Sequence, residues 1–209
     1  LIALARARIA RTSAGRLAWF FAAATAFGFG LIGAGLAAAG SPLGGLVARA
    51  AAWSAWLPGG LVAFAAAGNV RGRDRKDGID VLAASRGLSV YALDAARLLG
   101  AMLHATLAVG APVLALALFA MAVAGSARAA FARLGLVLGA LIFAIVAGVT
   151  LGGLGAISGR IGRERGPLLL AVLVLGPWMI EGWIGRGVFS IPDALEGIIR
   201  MMLRGGAAS

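Results

Sequence analysis

Apolar residues come in long runs separated by short polar breaks. The runs cover 17–39, 46–67, 98–123, 134–157 and 167–184. None shows the strict apolar–polar alternation of a half-buried strand. About 20 apolar residues in helical conformation cross the hydrocarbon of a bilayer, and lipid admits only structures that satisfy their own backbone. The pattern therefore predicts an all-α polytopic membrane protein, one transmembrane domain over 1–209, with five spans. A sixth depends on how the tail is read.

The segments outside the runs differ in kind. Residues 1–16 alternate apolar and basic turns through Leu1, Leu4, Arg8 and Arg11, which predicts an amphipathic helix lying in the interface with its arginines towards headgroups. These arginines do not suit the apolar part of a signal peptide. In the tail, Ile191, Leu195, Ile198, Ile199, Met202 and Leu203 fall on one helical face. Ser190 with Asp193 resembles a capping box, Pro192 suits a first turn, and Gly205-Gly206 ends the pattern. A helix over 190–204 is too short and too charged to span, so it is expected to be interfacial or re-entrant.

Within the spans, three features stand out. Gly28, Gly30, Gly33 and Gly35 give the first span a face on which another helix can pack closely, and small residues four apart recur from Gly135 to Gly159 in the fourth. Pro58-Gly59-Gly60 lies mid-span in the second and predicts a kink or local unwinding. His104 and Glu181 are ionisable residues inside apolar runs. With Pro58 they are the candidates for lining a path through the membrane, although His104 also suits an inter-helix hydrogen bond and Glu181 can pair with Arg186 at the interface.

The break from 68 to 97 is the long one. It holds the sole lysine, Lys76, the sole tyrosine, Tyr91, and four of the eight acidic residues, Asp74, Asp77, Asp80 and Asp94. Asp77 can cap a short helix from Gly78 to Ser85. On it Ile79, Leu82 and Ala83 share a face at i, i+3 and i+4. Gly87 can end that helix, and Ser89 can cap the next, which runs through Arg97 into the third span. The reading predicts a short helix parallel to the membrane whose apolar face looks into the cytoplasm and needs a protein partner.

Composition sharpens this picture. The chain is 61% hydrophobic and 13% charged, against about half apolar and about 25% charged in soluble domains. The net charge of +11 does not indicate nucleic acid, because the arginines sit at the ends of apolar runs; anionic lipid headgroups suit them better. Of the 19 basic residues, 13 fall with the N-terminus, the long break and the loop 159–166, and 6 fall on the other side. The positive-inside rule places the larger set, and so the N-terminus, in the cytoplasm.

Most chemistry is excluded. There is no cysteine, so no thiolate metal site or cysteine nucleophile exists. One histidine cannot build a multi-histidine site. Lys76 stands between Arg75 and Asp77 rather than after glycine, so there is no phosphate-binding loop. Asp77-Gly78 and Ala96-Arg97 superficially resemble the metal-binding motif of membrane phosphatidyltransferases. The spacing is wrong, and no aspartate follows Asp94 until Asp193.

With Asp77-Gly78, Leu82, Ser85-Arg86-Gly87 and Arg97 in this order, the break resembles the coupling region of exporter-class ABC transporter permeases, the group that includes drug, polysaccharide and cytochrome-maturation exporters. The family usually has Pro where Gly87 stands and often Thr where Ile79 stands. The layout is similar over most of the chain: a basic amphipathic N-terminal helix, five spans and a re-entrant element, without the family's usual sixth span. The resemblance implies a permease subunit of the bacterial inner membrane with no catalytic residue, metal or cofactor of its own. ATP and Mg²⁺ would be bound by a separate ATP-binding cassette subunit docked on Asp77, Gly78, Ile79, Leu82, Ala83, Ser85, Arg86 and Gly87. A second permease copy or a related permease would complete the path, in contact with membrane lipid and with no nucleic acid. A non-transport anchor or regulatory subunit of a cytoplasmic complex is the other reading.

Overall fold

The computed structural model describes residues 2–68, 74, 76–162, 165–184 and 197. The described residues form helices and turns with no strand. In chain order the helices are α1 (Ile2–Arg11), α2 (Ser13–Ala38), α3 (Gly44–Ser54), a π-helical turn (Ala55–Gly59), α4 (Gly60–Ala67), α5 (Ile79–Ser85), α6 (Val90–Ala122), α7 (Ala127–Ala132), α8 (Leu134–Ser158) and α9 (Arg165–Ile184). Four stretches are long and apolar enough to cross a membrane: Ser13–Ala38, Gly44–Ala67, Val90–Ala122 and Ala127–Ser158. Large apolar side chains such as Phe20, Phe27, Leu31, Ile142 and Ile145 stand exposed on their outer faces, as a lipid solvent requires. The expected helix over 190–204 lies outside the described residues, Gly197 excepted.

The single helix expected over 1–16 is broken in two. Thr12 has extended backbone and its Oγ1 accepts from Gly15 N at 2.9 Å, capping α2. The corner requires glycine, because a Cβ on Gly15 would lie 1.9 Å from the Ile9 carbonyl oxygen. α1 then folds back against α6, burying Ala5 and Ile9. It sits so close that a Cβ on Gly100 would come within 2.7 Å of that of Ala5.

Pro58 has no N–H to give the helix ladder. The chain absorbs the loss by widening one turn, so that the second span stays helical through Ala55–Gly59. That turn is packed inside the molecule: Pro58 is fully buried, and a Cβ on Gly59 would meet Val109 and Leu151 side chains at 2.8 and 2.9 Å.

α6 is the centre of the bundle. It packs most extensively on α8 and also touches α1, α2, α3 and α4. The glycines of α8 make this contact and the neighbouring one with α4. Added Cβ atoms on Gly148, Gly152 and Gly155 would lie 2.3 to 2.5 Å from the Thr106, Ala101 and Ala63 main chain or hydroxyl, so helix meets helix at backbone distance. Around this seam Val109, Val113, Leu116, Phe143, Ala147 and Leu151 form the core, and Leu170 and Val174 of α9 join it. The glycines of α2 behave differently. Gly28, Gly30 and Gly35 have nothing within 4 Å of an added Cβ, and only Gly33 of that set is packed, against Leu46 and Phe119.

At 33 residues α6 is about 50 Å long, well beyond the ~30 Å of hydrocarbon. Its first turns carry Asp94 and Arg97. α1, the C-terminal ends of α4 and α8 and the helix α5 gather around them.

Candidate functional site, the polar end of the bundle

Arg97 organises this end. Its side chain is 12% exposed and reaches three carboxylates: Asp74 at 2.7 and 2.8 Å, Asp94 at 2.9 Å and Asp80 at 3.0 Å. Asp74, with a side chain only 4% exposed, is shared with Arg8 of α1, whose Nη1 lies 2.7 Å from Oδ1. That contact is ionic and lacks hydrogen-bond alignment, since Oδ1 accepts no hydrogen bond. Arg8 also reaches Asp77 at 2.8 Å. A guanidinium has five donors in a fixed plane, which is why one residue can hold three acids. The network joins α1, Asp74, the α5 region and α6.

Several expected features of the break are present. Gly87 adopts φ +70°, Leu88 N donates to Ala83 O and Gly87 N to Ala84 O, a glycine-terminated helix end. Ser89 Oγ accepts from Ala92 N at 3.1 Å and starts α6. Two details differ. Asp77 does not cap α5: Gly78, at φ +67°, precedes the helix without a side-chain cap, and the Asp77 carboxylate is turned to Arg8 instead. Nor do Ile79, Leu82 and Ala83 all face outward. Ala83 is buried, Ile79 is half-buried and Leu82 is exposed. The outward apolar side chains are Val81 and Leu82, at 74% and 55% exposure, with Val90 and Tyr91 of α6 near in sequence at 65% and 86%. Ser85 and Arg86 are also exposed.

Sequence periodicity missed Val81, Val90 and Tyr91, because a seven-residue helix has no face of its own until the network decides which side turns inward. Asp80 is the residue that sets this. Drawn to Arg97, it rolls its neighbours Val81 and Leu82 to the outside.

The path candidates lie elsewhere. Pro58 is fully buried in the π-helical turn, which packs on α2, α6 and α8. His104, on α6, is 2% exposed; its Nε2 accepts from Trp19 Nε1 at 3.2 Å, with the rings edge-to-face at 88°. It thus links α2 to α6, and its Nδ1 is buried without a hydrogen-bond partner among the described residues. Glu181 falls in the last turns of α9. Pro58 and His104 are not brought to the polar end. Among the described residues, no three His, Asp or Glu side chains converge to hold a metal ion; the four aspartates face guanidinium groups. Comparison with family models, curated proteins and solved structures finds no match to this chain.

Proposed function

We propose that the chain is the permease subunit of an ATP-driven exporter, with five spans in a bacterial inner membrane and the N-terminus in the cytoplasm. It contributes to the substrate path, with a second copy or a related permease beside it, and takes its energy from an ATPase on a separate chain that binds ATP and Mg²⁺. The observation that carries this reading is the short helix α5, which presents Val81 and Leu82 to water while Asp80 ties its other side to Arg97. Two large apolar side chains held out on a rigid support suit a partner's groove. Burying both contributes about 3–6 kcal/mol, at about 1.5–3 for each.

The test is the pair Val81→Asp with Leu82→Asp. Both sites are exposed and lie outside the apolar helices, so insertion and folding are expected to stay unchanged. Association with the co-expressed ATPase, and the hydrolysis it stimulates, should be lost, since charge is then forced against an apolar groove. Retention of a functional ATPase by the double variant would sink the proposal. Loss of binding to a cytoplasmic complex that hydrolyses no ATP would make the chain an anchoring subunit instead.

A further inference from the structure

Beside the ionic network lies a cleft between α1, α4, α6 and α8, enclosing about 510 Å³ of empty space with its open mouth included. Five of its eight uncharged wall residues are small: Ala5, Ala66, Ala101, Ala156 and Gly159. None of these supplies an atom beyond Cβ. The space is not a sign of loose packing, because the same helices are in backbone contact nearby: a Cβ on Gly155 would lie 2.4 Å from Ala63 O, and one on Gly152 2.5 Å from Ala101 O. The gap is therefore built by small side chains where larger apolar ones would close it. Ile157 is half exposed and Ala156 partly exposed, so the apolar wall opens sideways on the surface of α8, the face that meets lipid in a helix of this composition.

The rim of the cleft is charged. It carries Asp94, Arg97 and Arg160. Arg97 is already engaged by three carboxylates. Arg160 differs. Its side chain is 53% exposed, and the carboxylate it approaches, Asp94, is 3.8 Å away, the longest contact in the cluster. It lines the cleft, and Asp94 is the one carboxylate within 4 Å of it among the described residues. An apolar slot open to lipid, topped by a guanidinium with donors to spare, matches a phosphodiester joined to an acyl chain.

We propose that this cleft binds one anionic phospholipid, its phosphate on Arg160 and the upper part of one acyl chain between α1 and α8. The anionic class follows from charge. The cation of a zwitterionic headgroup would be brought towards Arg160 and the net charge of +11 on the chain; an anionic headgroup brings no such cation. The assignment stands apart from the exporter reading, since it uses neither α5 nor a partner.

The test is native mass spectrometry of the whole chain released from detergent, with phosphatidylglycerol, phosphatidylcholine or inorganic phosphate added, alongside thermal unfolding in the same three mixtures. One retained phosphatidylglycerol per chain is expected, with higher occupancy than phosphatidylcholine and a higher unfolding temperature. Arg160→Gln should lower phosphatidylglycerol occupancy by about fivefold and erase the preference, as loss of an exposed ionic contact of ~1 kcal/mol implies. Ala156→Leu, which fills the slot and leaves the charge alone, should lower phosphatidylglycerol occupancy as well; it decides the question if Arg160→Gln is misfolded. Arg128→Gln, which removes an arginine from the exposed face of α7, should change neither. Equal occupancy of the two lipids in the unaltered chain overturns the proposal. So does equal loss in Arg128→Gln, which would mean general charge attraction, or a shift with inorganic phosphate as large as with the lipid.

Discussion

Arg97 and Asp77 bear similar charge pairs and should respond very differently to mutation. Arg97 is nearly enclosed, and its removal leaves Asp74 buried with Arg8 as its remaining cation among the described residues. Arg97→Gln is expected to destabilise the fold by about 3–5 kcal/mol, the range for breaking a buried pair from one side. Asp77 is 56% exposed, so Asp77→Asn should cost less than about 1 kcal/mol. Thermal or denaturant unfolding in detergent distinguishes the two, and similar losses would show that the network does not hold this end together. Glycines make a second contrast at the same scale. Gly152→Val drives a side chain into the Ala101 carbonyl of α6 and should cost about 1–3 kcal/mol or more. Gly30→Ala meets nothing and gains helix propensity, so it should be neutral or stabilising by up to about 1 kcal/mol.

At the scale of elements, α5 depends on its stop. Gly87 stands at φ +70°, where a β-branched residue is strained, and Gly87→Val should fray α5 at a cost of about 1–2 kcal/mol. Limited proteolysis after residue 85 reports this directly; unchanged protection would mean that α5 is held by its ionic ties alone. Much of this element was legible in the sequence, because Gly87 and Ser89 are local signals and local signals need no tertiary knowledge. What was not legible is which way α5 faces. Asp77 reads as a cap by position, yet Arg8, 69 residues earlier, competes for its carboxylate. In the same way Trp19 gives its indole N–H to His104, 85 residues away, which no local pattern announces. Long-range partners are not written in periodicity. The apolar runs 46–67 and 134–157 coincide with the helical stretches Gly44–Ala67 and Leu134–Ser158, because a long apolar run is itself a local signal, whereas the run 167–184 is helical without being among the four stretches long and apolar enough to span. Glycine spacing was legible as a packing signal without its addressee. In α8 it is used inside the chain, in α2 it is mostly left open.

For the whole molecule, that difference between α2 and α8 bears on assembly. The seam that holds the bundle together is occupied, so among the described helices α2 keeps a small-residue face open, and the exporter reading assigns that face to a second copy. Topology is the other property of this scale. With the larger arginine set inside, reporter fusions at Arg75 and Arg163 should label as cytoplasmic and one at Ser41 as external. The reverse pattern at Arg75 would remove the docking reading altogether, because α5 would then face away from any source of ATP. One further consequence belongs to the length of α6. Arg97, near its start, is tied to α5 through Asp80, and Phe119, near its end, lies against Gly33 of α2. A rigid helix of about 50 Å turns a tilt of about 2° about its middle into a displacement of about 1 Å at each end, and Pro112, which removes one ladder bond between these two contacts, is where such a rod would flex. In the exporter reading, a push on α5 would thus be felt at both ends of one helix, with Pro112 as the joint between them.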